Sequence, residues 1–412
     1  MLSNAGRLLR PSQGTAAFCL VLAHLFLSFL SFPASATELN AKAARIAGDE
    51  ARTRIVIDFD VKPDFTVHYL ESPNRIVVDI AGTVNFAFPP EQLEARGIYE
   101  RIRFGAMSAG RTRLVLTSKL PAGLEVAEAR KNDEGEGWRL VLDGAIVTPD
   151  QYAAMKKQGN WGNSESSSAP VVPLAPQQPP SPDSVFTVAI DAGHGGIDTG
   201  AVTSGKNPVY EKNITLDFAT TLARELNTRP GIKAFLTRDT DIFLSLGERV
   251  QIARSRGANL FISLHADTLR EKSTRGATVY TISDRASDKL ADELARRENT
   301  SDEVAGVEVK KEPSEVNDIL IDLTRRETQA FSISLANSIV HSFEGQIGLI
   351  NNPHRSAGFR VLTAPDVPSV LLELGFLSNP EDVKQLQRAD FRDKLVTLIA
   401  DAVKRYREKL GG

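Results

Sequence analysis

The chain has 412 residues, more than a single domain usually holds, so two domains are expected. Its hydrophobic share of 42% and charged share of 25% are those of an ordinary globular protein, so neither domain lacks material for a core. A formal net charge of -3 gives no basic excess to gather phosphates, which argues against a nucleic-acid partner.

The first segment differs from everything after it. Arg7 and Arg10 precede the apolar run AAFCLVLAHLFLSFLSF, and PASA follows, ending at Ala36. A basic head, a short apolar middle and small residues at Ala34 and Ala36 predict a secretory signal peptide over residues 1–36, cleaved after Ala36. The alternative is an uncleaved anchor, because residues 16–32 approach the length that spans a bilayer. Arg7 and Arg10 are not adjacent, so a twin-arginine signal is absent. The one cysteine, Cys19, lies inside this segment. Beyond it, any metal has to be held by His, Asp or Glu.

Residues 37–148 read as a small all-β domain. RIVIDFD from Arg54, RIVVDIAG from Arg75, RLVLTSK from Arg113 and RLVLDGA from Arg139 each open with arginine and alternate apolar with other residues, the period of half-buried strands. Those arginines read as solvated strand ends or as a surface for an anionic polymer. Residues 149–183, with the stretch QGNWGNSESSSAPVVPLAPQQPPSPDS, are rich in Ser, Pro, Gln and Gly and predict a linker.

From residue 184 to 412 strands alternate with helices. VFTVAID, KAFLT, NLFISL, ATVYTI and SVLLEL read as strands. Three apolar stripes read as helices: Ile214, Phe218, Leu222 and Leu226; Phe331, Leu335, Ile339 and Phe343; then Phe391, Leu395, Leu398, Ile399, Val403 and Tyr406. The expectation is an α/β domain, a mostly parallel twisted sheet flanked by helices, with its site at the carboxyl ends of the strands.

VAIDAGHGGIDTGAV, from Val188, runs a strand pattern into a histidine among glycines. A dinucleotide fingerprint fails there, because the third glycine position from Gly193 is Asp198, and no Gly-Lys-Ser/Thr follows for a phosphate loop. A metal site fits better. His194 follows the first strand, His265 follows NLFISL, Glu373 ends the last strand, and Glu211 opens an amphipathic helix. Two imidazoles and a carboxylate suit Zn²⁺ with a fourth position open, the pattern of a catalytic site. Spacing alone leaves undecided which carboxylate binds metal and which moves protons. Glu211 also fits a carboxylate at a helix start, and Glu373 a buried ion-pair partner.

At these residues the sequence resembles the zinc-dependent N-acetylmuramoyl-L-alanine amidases. IDAGHGGIDTGA, YEKNITL, LTRDTD, LGERVQIAR, ANLFISLHAD and PSVLLELGFLSNPED look like that family's successive motifs, in order. RIVVDIAG, RFG and RLVL look, more loosely, like the AMIN domain that precedes the catalytic domain in periplasmic cell-division amidases. The resemblance implies that His194, Glu211 and His265 ligate one Zn²⁺ and that Glu373 is the general base. It implies cleavage of the amide between the lactyl group of N-acetylmuramic acid and L-alanine in peptidoglycan. A wall-binding protein without catalysis and a metallopeptidase cutting within the stem peptide are the competing readings.

Between ATVYTI and the helix carrying Phe331 lies a long charged insertion, about residues 284–327. It reads either as a solvated helical excursion or, as the resemblance implies, as a lid over the zinc site that a LytM-fold activator protein moves. Glu298 is the first candidate for a plugging carboxylate and Glu303 the second. His341 lies off the apolar stripe of its helix and is expected to be exposed.

Overall fold

The structure, a computed structural model, describes residues 38–132, 136–158, 185–307 and 319–410. The expected signal peptide lies outside these residues, as does most of the expected linker. Described residues beyond position 37 belong to one compact unit, Glu38–Gly412.

The N-terminal part contains β1 (Glu38–Gly48), β2 (Arg52–Phe59), β3 (Phe65–Leu70), β4 (Asn74–Ala81), β5 (Thr83–Phe86), β6 (Tyr99–Met107), β7 (Arg111–Ser118), β8 (Ala122–Lys131) and β9 (Trp138–Ile146). They form a five-stranded sheet, β5-β1-β2-β9-β8, and a four-stranded sheet, β3-β4-β7-β6. Alternate residues of both, among them Ile55, Ile57, Leu140 and Leu142 from one and Ile76, Val78, Leu114 and Leu116 from the other, share a single core. A period of two puts one row of each strand inward, which is why the arginine-led runs are strands.

The chain then departs from expectation. Residues 149–158, read as the start of the linker, form helix α1 (Pro149–Gln158). Tyr152 is its anchor: the buried hydroxyl donates to the carbonyl of Leu70 at 2.7 Å and accepts from the Arg75 amide at 3.1 Å. One aromatic with a satisfied hydroxyl holds down a helix that has little apolar stripe to advertise it.

The C-terminal part runs β10 (Phe186–Ala192), α2 (Glu211–Asn227), β11 (Ile232–Leu236), α3 (Leu246–Ser255), β12 (Leu260–His265), β13 (Ala277–Ile282), α4 (Lys289–Glu298), α5 (Ser301–Val304), α6 (Ile319–Phe343), β14 (Leu349–Ala357), β15 (Ser369–Glu373), α7 (Pro380–Leu386) and α8 (Ala389–Leu410). Its sheet has the order β11-β10-β12-β15-β13-β14. All pairs are parallel except β13 with β15. The three apolar stripes are buried on α2, α6 and α8 against one face, while α3 and α4 cover the other.

The strand order fixes where a site can form. From β10 the chain passes to β11 on one side and then returns to β12 on the other. A crevice therefore opens at the carboxyl ends of β10 and β12, the place where open α/β sheets bind ligands. His194 lies two residues beyond β10, and His265 is the last residue of β12.

Candidate metal centre

Among the described residues, His194 is one of three non-glycine residues with positive φ, at 60°. That conformation is uncommon for a side chain with a Cβ and persists only where the surroundings hold it. Two buried arginines do so. Arg238 donates to the carbonyls of Ala192 and Gly193, at 2.9 and 3.0 Å. Arg249 donates to the carbonyls of Ala192 and His194, both at 2.8 Å, and to Asp191 Oδ1 at 2.8 Å. Three carbonyls at the end of β10 and in the loop after it are thereby paired. The arginines of LTRDTD and LGERVQIAR act as struts for the loop.

The glycines beside His194 make room for the rings. A Cβ on Gly193 would lie 2.5 Å from the His265 ring, and one on Gly200 would lie 2.6 Å from both Glu211 Oε2 and His194 Cδ2. The two imidazoles, buried and edge to face, have centroids 4.9 Å apart.

Glu211, the first residue of α2, is fully buried with both oxygens held. Oε1 accepts from the Ala266 amide and Oε2 from the Ala201 amide, each at 2.8 Å. Its Oε1 lies 3.2 Å from His194 Nε2 and 3.3 Å from His265 Nδ1. Glu298, the last residue of α4, approaches the same atoms from the opposite side of the chain's order: its Oε2 lies 3.5 Å from His194 Nε2 and 3.1 Å from His265 Nδ1. His194, His265 and Glu298 form a group able to hold a metal ion. Glu303 is outside it, and its backbone carbonyl instead accepts from Arg75.

Glu373 pairs directly with His265 across β15 and β12. Its Oε2 accepts from the Asp267 amide at 3.0 Å, while Oε1 is buried without a hydrogen-bond partner. Burial, together with the carboxylates of Glu211, Asp267 and Glu298, holds Glu373 well above the usual carboxylate range. Asp267 responds to burial and to Glu211 and Glu298 in the same way and is pushed up to about 7. Burial disfavours a charged imidazole at His194, but Glu211, Asp198 and Glu298 outweigh it and carry His194 well above its ordinary value. So many carboxylates around two rings call for a cation.

Asp198, Asp267 and Arg297, which pattern reading passed over, complete the site. Asp198 Oδ2 bonds His194 Nδ1 at 2.9 Å, which leaves Nε2 as the ring's free atom, buried and without a hydrogen-bond partner. The spacing His-x-x-x-Asp was its only signal. The same Asp198 oxygen accepts from Ser301 of the insertion at 2.6 Å. Arg297, beside Glu298, donates to Asp267 Oδ1 at 2.8 Å. Of the other histidines, His341 is exposed beside Glu344, as expected, and His354 bonds Thr281 Oγ1 at 3.2 Å.

Fold and site together give an α/β domain with a buried histidine-carboxylate cluster, able to hold a metal ion, at a sheet switch point. A family model described as N-acetylmuramoyl-L-alanine amidase matches residues 188–405, and one for the AMIN domain matches residues 43–143. The N-acetylmuramoyl-L-alanine amidase AmiA of Escherichia coli (strain K12) is 40% identical over 220 residues, which cover 53% of this chain and 75% of that one. The N-acetylmuramoyl-L-alanine amidase AmiC of Neisseria meningitidis serogroup B is 31% identical over 380 residues, 88% of this chain and 89% of that one. A solved structure, AmiC2 of Nostoc punctiforme, is 25% identical and covers 54% of this chain and 97% of that chain at a TM-score of 0.40. The chain belongs to the N-acetylmuramoyl-L-alanine amidase family and carries an AMIN domain. Its reaction is hydrolysis of the N-acetylmuramoyl-L-alanine bond of peptidoglycan. No helix of the described residues is long and apolar enough to cross a membrane.

Proposed function

We propose that His194, Glu211 and His265 hold one Zn²⁺, that Glu373 is the general base, and that Glu298 fills the fourth position until an activator withdraws it. The observation that carries this reading is a set of spacings. Tetrahedral zinc ligands at about 2.0–2.1 Å stand about 3.3 Å from one another. The four separations of Glu211 and Glu298 from the two imidazoles run from 3.1 to 3.5 Å.

When bound, zinc supplies polarisation of the amide carbonyl and acidifies water in its vicinity. The chain's own residues do the rest. Asp198 accepts the Nδ1 proton of His194 and so presents the Nε2 lone pair inward. Amides of Ala266 and Ala201 fix the Glu211 carboxylate. The Asp267 amide anchors one oxygen of Glu373 and leaves Oε1 to take the proton of the attacking water, then to pass it to the departing alanine nitrogen.

Glu298 would exclude substrate by standing where the scissile carbonyl has to come. An amidase loose on the wall threatens lysis, so such a brake fits an exported, periplasmic enzyme of cell-wall remodelling and daughter-cell separation, with residues 1–36 as its signal peptide and a LytM-fold protein as its activator. Mass spectrometry of wall digests, combined with metal analysis, tests the reading. It predicts one zinc per chain and released stem peptides with N-terminal alanine. Shortened stems would indicate a peptidase instead, and a metal-loaded chain with no products after Glu298→Ala would indicate a binder.

A further inference from the structure

The four arginine-led runs lie within β2, β4, β7 and β9, and the structure divides their arginines. Arg54 is exposed and pairs with Asp143 across the five-stranded sheet, and Arg139 is half-exposed beside Asp58. Arg75 and Arg113, on the four-stranded sheet, are buried. Solvent does not cover them; the insertion does.

The alternation on β4 and β7 explains how. Ile76, Val78, Leu114 and Leu116 face the core shared by the two sheets. Arg75, Val77, Asp79, Arg113 and Val115 form the opposite row, and that row is buried too. Val77 and Val115, with Leu70 and Met107, pack against Ala305, Ile197 and Phe243 of the catalytic part. Gly306 approaches so closely that a Cβ there would lie 2.9 Å from Val77 Cγ2. Asp79 grips Arg113 with both oxygens, at 2.6 and 2.7 Å, and so aims its remaining nitrogen. That nitrogen donates to the carbonyls of Ala305 and Gly306, both at 3.0 Å. Arg75 donates to the carbonyl of Glu303.

These carbonyls belong to the turn that ends α5, a few residues beyond Glu298. From the other end, Ser301 bonds Asp198 and Asp302 accepts from the Leu246 amide at 2.8 Å. We infer that the outer face of the AMIN sheet is a latch in cis: it holds the α4–α5 segment down and thereby keeps Glu298 among the imidazoles, so the AMIN domain restrains the enzyme as well as carrying it. This inference rests on the reading of Glu298 as a plug. Withdrawing Glu298 requires α5 to move, and α5 cannot move while Arg75 and Arg113 hold its carbonyls. Withdrawal would strip both arginines of these carbonyls and open the apolar face of Val77 and Val115 to water.

The test is made on the full chain with Val115→Asp, which places a carboxylate in the apolar contact with Ala305 and Gly306 without entering the AMIN core, and with the milder Val77→Ala. Hydrogen-deuterium exchange is read over residues 289–304, with β10 and β12 as the control for an intact catalytic sheet, and wall hydrolysis is measured in parallel with Glu298→Ala. The latch predicts that exchange over 289–304 rises at least about tenfold in Val115→Asp, as loss of charge-assisted hydrogen bonds implies, with a smaller rise in Val77→Ala, and that turnover climbs towards that of Glu298→Ala. Exchange over 289–304 at the wild-type rate in both variants overturns it, even if the AMIN strands themselves exchange faster. A rise in exchange with no activity gain in either Glu298→Ala or Val115→Asp supports the mechanical latch and sinks the plug reading alone.

Discussion

Glu298 Oε2 lies 3.1 Å from His265 Nδ1, although one residue ends an inserted helix and the other ends a central strand. A carboxylate buried at that distance from an imidazole is there because something in the fold holds it. Replacing Glu298 with alanine empties the position without touching Asp198, Glu211 or Glu373. Basal hydrolysis of labelled peptidoglycan is expected to rise by about tenfold or more, since a competing charged ligand is lost. Glu303→Ala, whose side chain is outside the cluster, is expected to leave the basal rate unchanged. A low rate in Glu298→Ala equal to that of the parent would remove the brake from the account.

In the proposed centre Asp198 acts on the metal through His194. In Asp198→Asn the acceptor for the Nδ1 proton becomes an amide, and the preference for the useful tautomer weakens. Zinc affinity, measured by competition with a chromogenic chelator, is expected to fall about 10- to 100-fold, while the fold, followed by circular dichroism, persists. The same change removes the charged acceptor of Ser301. An affinity equal to the parent's would show that the ring is oriented by other means.

His68, on the outward row of β3, is buried. Burial, reinforced by Arg113 and Arg111, outweighs the pull of Asp79 and keeps it below its ordinary value of 6.5. The unfolded chain therefore takes up a proton at a higher pH than the folded chain does. Stability from this residue is complete above about pH 6.5 and declines as pH falls from there towards the folded value. Urea midpoints taken across that window should drop more steeply for the parent than for His68→Gln. Equal slopes would contradict the assignment.

Strands that alternate, and helices with a full apolar stripe, were legible in the sequence because burial there follows a simple period. Less simple environments were not. β4 and β7 read as half-buried, yet both faces are covered, because the second face meets a turn more than 180 residues away in the chain. Helix α3 gives little stripe, since a charged residue, Arg249, points inward to hold the His194 loop. Helix α1 is anchored by Tyr152, with Met155 packed on the same core. Of the site, His194, His265, Glu211 and Glu373 stood out as metal-competent groups at strand and helix ends. Asp198, Asp267 and Arg297 did not, because what they do depends on neighbours that only the fold brings together.

Proton transfer by Glu373 beside a metal held by other residues is tested most directly by one comparison. Wall hydrolysis and zinc content are measured for Glu298→Ala and for Glu298→Ala combined with Glu373→Gln. The prediction is one zinc per chain in both proteins, with release of stem peptides lowered in the second by about 10²–10⁴-fold, the usual worth of a positioned acid-base group. Equal release by the two proteins would contradict it.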